Sequence, residues 1–145
     1  MSETSYQAGL FEPDGAARVL AVRQPHAHLL IHGSPTCGFK GVENRSKPTS
    51  HRGTLLIQAC AKVDQAAYDE YIAAGVELPP AAELVTGAII GKVDIVGCVR
   101  DAGDWSAMDG YWHWLAENPQ PAAEPIPFTG QLSMAAPPAG WRDQF

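Results

Sequence analysis

The sequence predicts a single mixed α+β domain. Three observations point to it. Short apolar runs bounded by glycine, proline and polar turns read as strands. Segments with helical spacing lie between them rather than in a separate block. The 145 residues, 46% hydrophobic and 18% charged, suit one soluble domain, and a chain of this size buries roughly 68–70% of its unfolded surface.

The elements follow in order. Residues 1–16 carry Gly, Pro, Ser and Asp without periodicity and read as an N-terminal arm. The domain is expected over 17–136 and a C-terminal tail over 137–145. Val19–Val22 is a short apolar strand. Pro25 opens a helix at a first-turn position, where its missing N–H costs nothing. That helix runs to about His32, with Ala27, Leu30 and Ile31 as its buried stripe and Gly33 as its stop. Ser34–Gly38 is a turn-rich loop. Val42–Ser46 is a strand, Lys47–Gly53 a polar loop, and Thr54–Cys60 a clear strand. Asp64–Ala74 reads as a helix with Ala67, Tyr71 and Ala74 on one face, ended by Gly75, and Pro79-Pro80 forbids its continuation.

Ala88–Val99 is the longest strand candidate, and Gly91 and Gly97 mark bulges or bends within it. Tyr111–Leu115 is expected as a short helix with Trp112 and Leu115 inward. Pro119–Pro127 reads as a proline-rich loop and Phe128–Met134 as the last strand. There is no internal repeat, no Gly-x-Gly-x-x-Gly and no Walker A pattern.

Composition excludes several function classes. A net charge of −6 argues against broad binding of nucleic-acid backbone, which needs many Lys and Arg contacts. It leaves room for a local basic pocket, because Arg18, Arg23, Lys40, Arg45, Lys47 and Arg52 all fall between residues 18 and 52. No apolar run reaches the roughly 18–20 residues of a membrane span. The first residues lack a basic start and an apolar core, so a cytoplasmic setting is expected. Cys37, Cys60 and Cys98 are an odd count at wide spacing and do not read as a disulfide framework, and Cys60 and Cys98 read as small buried hydrophobes. His26, His28, His32, Cys37 and His51 lack any coherent ligand spacing, so neither metal nor other cofactor is expected.

The densest chemistry lies in Gly38-Phe39-Lys40-Gly41-Val42-Glu43-Asn44-Arg45. In an extended strand from Val42, side chains alternate, so Glu43 and Arg45 project to one side and Val42 to the other. Lys40 sits where the chain leaves the Gly38 turn. This spacing predicts a cation, an acid and a second cation on one short wall, suited to polarising a carbonyl. The same cluster also describes an ordinary surface ion pair worth little. As a surface lysine, Lys40 is expected to tolerate replacement by alanine within about 0.5 kcal/mol.

Val19-Leu20-Ala21-Val22-Arg23-Gln24-Pro25-His26-Ala27 followed by Gly38-x-Lys40-x-x-Glu43-x-Arg45 resembles the ASCH domain of the PUA-like superfamily. Gly53–Ala59, Thr86–Val93 and Pro125–Gly130 resemble its later segments, so the likeness covers residues 18–135. It implies a PUA-like curled β-barrel of about five to six strands with flanking helices and a cleft beside the first helix. It also implies an RNA-associated module and, among small members, hydrolases that remove the acyl group from N4-acetylcytidine. In those hydrolases a lysine, a threonine three residues later and a distant glutamate do the chemistry. Lys40 matches the lysine, but Glu43 stands at the threonine position.

Restated physically, amide hydrolysis needs an activated water or nucleophile, an oxyanion stabiliser and an acid for the leaving amine. Lys40, Glu43 and Arg45 are the candidate catalytic set. Glu43 suits a base for water, Lys40 an oxyanion donor or nucleophile, and Arg45 an orienting cation. Arg23, Gln24, His26 and Gln58 are the candidate substrate-binding residues. His26 suits stacking or proton relay, or is a plain helix-surface residue. Gln24 suits reading a base edge, or satisfies backbone at the helix start. Gln58 needs a partner if buried. Trp105, Tyr111 and Trp112 form either a stacking wall or core. The expected partner is a small nucleoside, with RNA contact as an alternative and ribonuclease activity as a third reading.

Overall fold

The computed structural model describes residues 17–145. The arm expected over residues 1–16 lies outside the described residues. Five strands and two helices are arranged as β1 (Arg18–Gln24), α1 (His26–Ile31), β2 (Val42–Arg45), β3 (Gly53–Val63), α2 (Gln65–Ala73), β4 (Ala88–Val99) and β5 (Trp112–Pro127). They form one mixed sheet in the order β1-β3-β4-β5-β2. β1 pairs with β3 in parallel and the other pairs are antiparallel. This is the curled, α+β architecture expected, with the sheet left unclosed.

The central strands are buried on both faces, which explains their near-continuous apolar runs. On one face Leu20, Val22, Leu55, Ile57 and Ala59 pack with Leu30 and Ile31 of α1. On the other, Val19, Leu56 and Ile89 pack with Ala17 and Trp141. Each fully buried Leu or Ile contributes roughly 1.5–3 kcal/mol, so the six residues of α1 are held by packing, not by propensity. Gly91 makes that packing possible. A Cβ there would lie 2.6 Å from Ile31 Cγ2 and 2.7 Å from the Gln120 carbonyl oxygen. Register shifts fall at Ile89/Gly91 and Ile95/Gly97, the two places where the glycines forecast a bend.

Three expectations fail along the last third of the chain. Tyr111–Leu115 is not a helix: Trp112–Leu115 pairs with Arg45–Val42 as the start of β5. Pro119–Pro127 is not a loop but the rest of that strand, paired with β4. The first residue of β2, Val42, lies opposite Leu115, so beyond Leu115 β5 has a strand neighbour on one side only. Proline is tolerated on such an edge and at bulges because no ladder N–H is needed there. Phe128–Met134 is irregular rather than a strand, and the chain touches the ladder again only in a bridge between Val19 and Ala135. A final 3-10 turn, Trp141–Gln144, carries the buried Trp141.

Among the described residues no helix is long and apolar enough to cross a membrane.

Candidate functional site

The unclosed seam of the sheet is where the charged motif gathers. β1 and β2 are its two edges, and Arg45 crosses between them. Its Nη2 donates to the Ala21 carbonyl of β1 at 2.8 Å, and its Nε donates to Glu43 Oε2 at 3.0 Å. The guanidinium lies over the Trp114 ring, 5.8 Å from the centroid. Arg45 therefore joins the edges and fixes the Glu43 carboxylate at once.

Lys40 approaches the other carboxylate oxygen, with Nζ 3.8 Å from Glu43 Oε1, and donates a short hydrogen bond to the Val42 carbonyl. The lysine is only 2% exposed and Glu43 only 7%. The expected surface lysine is thus a buried one. Its backbone is drawn in by a 2.9 Å hydrogen bond from its N–H to the Leu29 carbonyl at the end of α1. Burial lowers the Lys40 pKa below the ordinary lysine value, opposed by the charges of Glu43 and Asp104 and reinforced by Arg45.

Asp104 is a member that sequence reasoning missed. Its carboxylate sits so close to the backbone at Gly41 that a Cβ there would lie 2.7 Å from Oδ1. Asp104 Oδ2 accepts from both the N–H and the hydroxyl of Ser106. Asn44 pins the same loop, donating to the Ser106 carbonyl and accepting from the Met108 N–H, both at 2.9 Å. His113 holds it from β5: the Ala102 N–H donates to Nδ1, which leaves Nε2–H to donate to the Met108 carbonyl. The only signal in the sequence is Gly41 next to the lysine. The loop's place depends on β5 being a strand.

His26, at the start of α1, joins the charged group to a set of aromatic rings. Its Nδ1 is 2.8 Å from the Tyr71 hydroxyl. The two rings meet edge to face at 5.4 Å, and Tyr71 meets Trp105 at 6.4 Å. Trp105 Nε1 in turn donates to the Phe39 carbonyl beside Lys40. Burial and the Lys40 charge lower the His26 pKa, opposed by Glu43 and Asp64, with Arg23 lowering it further. Burial and the Glu43 and Glu70 carboxylates raise that of Tyr71. Tyr71, expected to pack on an inward helix face, instead joins the site; α2 has no buried residue.

Arg23 is at the rim, largely exposed, with a 3.5 Å contact to Asp64. Cys60 is half-buried rather than core. Burial raises its pKa, Glu43 acts in the same direction, and Arg23 and Arg45 lower it.

The two candidate glutamines, Gln24 and Gln58, are not bonded to the charged group. Gln24 donates to the Val85 carbonyl at 2.8 Å and accepts from the His28 N–H at 2.9 Å, so both ends of its amide are used at the helix start. Gln58 donates to the Phe128 carbonyl at 2.9 Å, and its Oε1 is enclosed without a partner against Gly130. Of the proposed aromatic wall, Trp105 faces the site, whereas Trp112 lies under Arg100 at 4.9 Å. Among the described residues no group of three His, Cys, Asp or Glu is arranged to hold a metal. A separate groove of about 650 Å³ lies between α1 and the residues after α2, lined by His28, Ile72, Val76 and Pro79; none of the charged motif lines it.

The strand-borne Lys-x-x-Glu-x-Arg set, the preceding helix and the curled sheet carry a family's stamp. The ASCH domain model matches residues 20–128. The chain belongs to the ASCH domain family. This domain is a PUA-like, RNA-associated fold. Human activating signal cointegrator 1 is 32% identical over 126 residues, covering 77% of this chain and 20% of that protein. The chain thus spans about a fifth of that relative's length. The crystal structure of ASCH from Zymomonas mobilis superposes with a TM-score of 0.53 at 13% identity, covering 90% of this chain and 94% of that one. A tyrosine-to-phenylalanine mutant of the same Zymomonas mobilis protein gives 0.51 at 14% identity, covering 88% and 94%. At these identities the likeness is one of fold.

Proposed function

We propose that this ASCH domain hydrolyses the exocyclic amide of N4-acylated cytosine nucleosides, such as N4-acetylcytidine. One observation carries the reading: a buried lysine of lowered pKa held against a buried carboxylate that an arginine orients. A lysine whose surroundings lower its proton affinity, held beside a carboxylate, is a usual mark of acid–base chemistry.

In the proposed reaction Glu43 takes a proton from water as the water oxygen attacks the acyl carbon. Lys40 stabilises the oxyanion that forms. The C–N bond breaks as N4 gains a proton from Lys40, and the proton held by Glu43 restores the lysine. The products are the free carboxylic acid and cytidine, so one water is consumed and no other reactant is needed. Arg45, engaged by Glu43 and the Ala21 carbonyl, acts as a positioning residue. The role falls to Glu43 rather than to the threonine of the resembling hydrolases, because the carboxylate already contacts both cations.

A second reading is supported by the exposed Arg23 and the Tyr71–Trp105 aromatics: a binding site for RNA or a modified nucleotide, without turnover. Incubation with N4-acetylcytidine, followed by chromatography for cytidine, separates the two. Turnover of the free nucleoside is expected, with generic RNA bound weakly and with strong salt dependence. Tight RNA binding at physiological salt with no hydrolysis of any N4-acylcytidine would favour the binding module. RNA cleavage in its place would favour a ribonuclease.

A further inference from the structure

We propose that Tyr71 holds His26 in one tautomer, with Nδ1 as acceptor and Nε2–H presented to the cleft as a donor for a carbonyl oxygen of the ligand. This inference deepens the hydrolase reading and rests on it for the ligand's identity. It assigns Tyr71 as a positioning residue and His26 as the group that touches the ligand.

One hydrogen bond joins the two side chains, and its proton is assigned to the hydroxyl. The 2.8 Å contact between His26 Nδ1 and the Tyr71 hydroxyl needs one proton between the two atoms. The phenol has no other partner among the described residues, and burial keeps it protonated, so its proton is available to His26. Nδ1 then accepts, and a neutral ring carries its proton on Nε2. Nε2 has no hydrogen-bond partner among the described residues, yet it is not an enclosed polar atom. It is therefore open to a ligand.

The ring's surroundings favour a neutral donor. Lys40 from the α1–β2 loop and Arg23 from β1 oppose a positive charge on it, and burial opposes it more strongly. Glu43 of β2 and Asp64 at the head of α2 act the other way, and Tyr71 of α2 faces it directly. A neutral imidazole supplies an N–H donor without adding a second cation to that of Lys40. Such a donor suits a carbonyl oxygen that gains negative charge. Trp105, packed on Tyr71 and bonded to Phe39, keeps the phenol in place.

The test uses histidine-labelled protein and long-range proton–nitrogen correlation spectra, with His26→Asn for assignment. His26 is expected to show an unprotonated Nδ1 and a protonated Nε2. Tyr71→Phe removes the donor and keeps the ring, so it should give a mixture of tautomers and a higher His26 pKa. A wild-type Nδ1–H tautomer, or an unchanged tautomer in Tyr71→Phe, overturns the assignment. N4-acetylcytidine and cytidine are then titrated in. A shift of His26 Nε2–H is expected, and in turnover Tyr71→Phe should lose about tenfold or more in kcat, with the acidic limb of its pH profile moved upward. Nucleoside that shifts other site signals but not His26, or that does not bind at all, overturns the donor role. The expected spectra and a His26 shift without turnover would sink the hydrolase reading and leave this one standing.

Discussion

Replacing Lys40 by alanine should destabilise the domain severely, against its appearance in the sequence as a dispensable surface charge. The ammonium is 2% exposed and lies 3.8 Å from Glu43 Oε1. At an effective dielectric of about 20 such a pair attracts by about 4 kcal/mol. The hydrogen bond to Val42 adds about 1.5–3 kcal/mol for a charged donor. Burial of the ammonium opposes these by several kcal/mol. Lys40→Ala loses the attraction and also leaves a space where the four-carbon stem lay. Breaking a buried pair from one side costs about 3–5 kcal/mol, or about 10 °C in Tm for a chain of this length. Lys40→Met fills the space and leaves Glu43 its 3.0 Å contact with Arg45, so it should cost less, about 1–2 kcal/mol. Urea unfolding followed by tryptophan fluorescence measures both. The pH dependence gives an independent reading. The folded Lys40 pKa lies below its unfolded value, so the unfolded chain binds more protons between the two. Wild-type stability relative to Lys40→Met should therefore rise with pH through that window, up to about 10.4. A Lys40→Ala protein within about 0.5 kcal/mol of wild type, with a flat pH difference, would refute the buried-lysine argument.

Gly41→Ala should push Asp104 away from Lys40, because its Cβ would come within 2.7 Å of Oδ1; a loss of about 1–3 kcal/mol with lowered turnover is expected, and the urea midpoint checks it. Arg45→Lys should keep the charge but not the two-way span from Glu43 to the Ala21 carbonyl. The two cations are not interchangeable there, so kcat on N4-acetylcytidine should fall with KM little changed, and an unchanged kcat would remove Arg45 from the site.

Much of the site could be read from the chain because it is local. Glu43 and Arg45 share a side through strand alternation, which needs no partner, and Lys40 precedes them by a fixed distance. α1, α2, β3 and β4 were legible for the same reason: their signals are a proline at the head of α1, which the structure places at the N-cap rather than in the first turn, helical spacing stopped by Gly75, and apolar runs between glycines. Local pattern could not decide which strands lie at an edge. Proline in a strand is forbidden or tolerated according to whether that edge has a neighbour, so Pro119–Pro127 read as loop until the sheet order placed this part of β5 beyond the start of β2. Nor could it show that Lys40 is buried, since exposure depends on α1 drawing the backbone inward and on the Asp104 loop lying over Gly41. The sequence alone determined which charges stand together on one strand. The tertiary structure decided what surrounds them, because Tyr71, Asp104 and Trp105 reach the site through contacts between residues far apart in the chain, and burial lowers the lysine's proton affinity against the pull of its carboxylate partners.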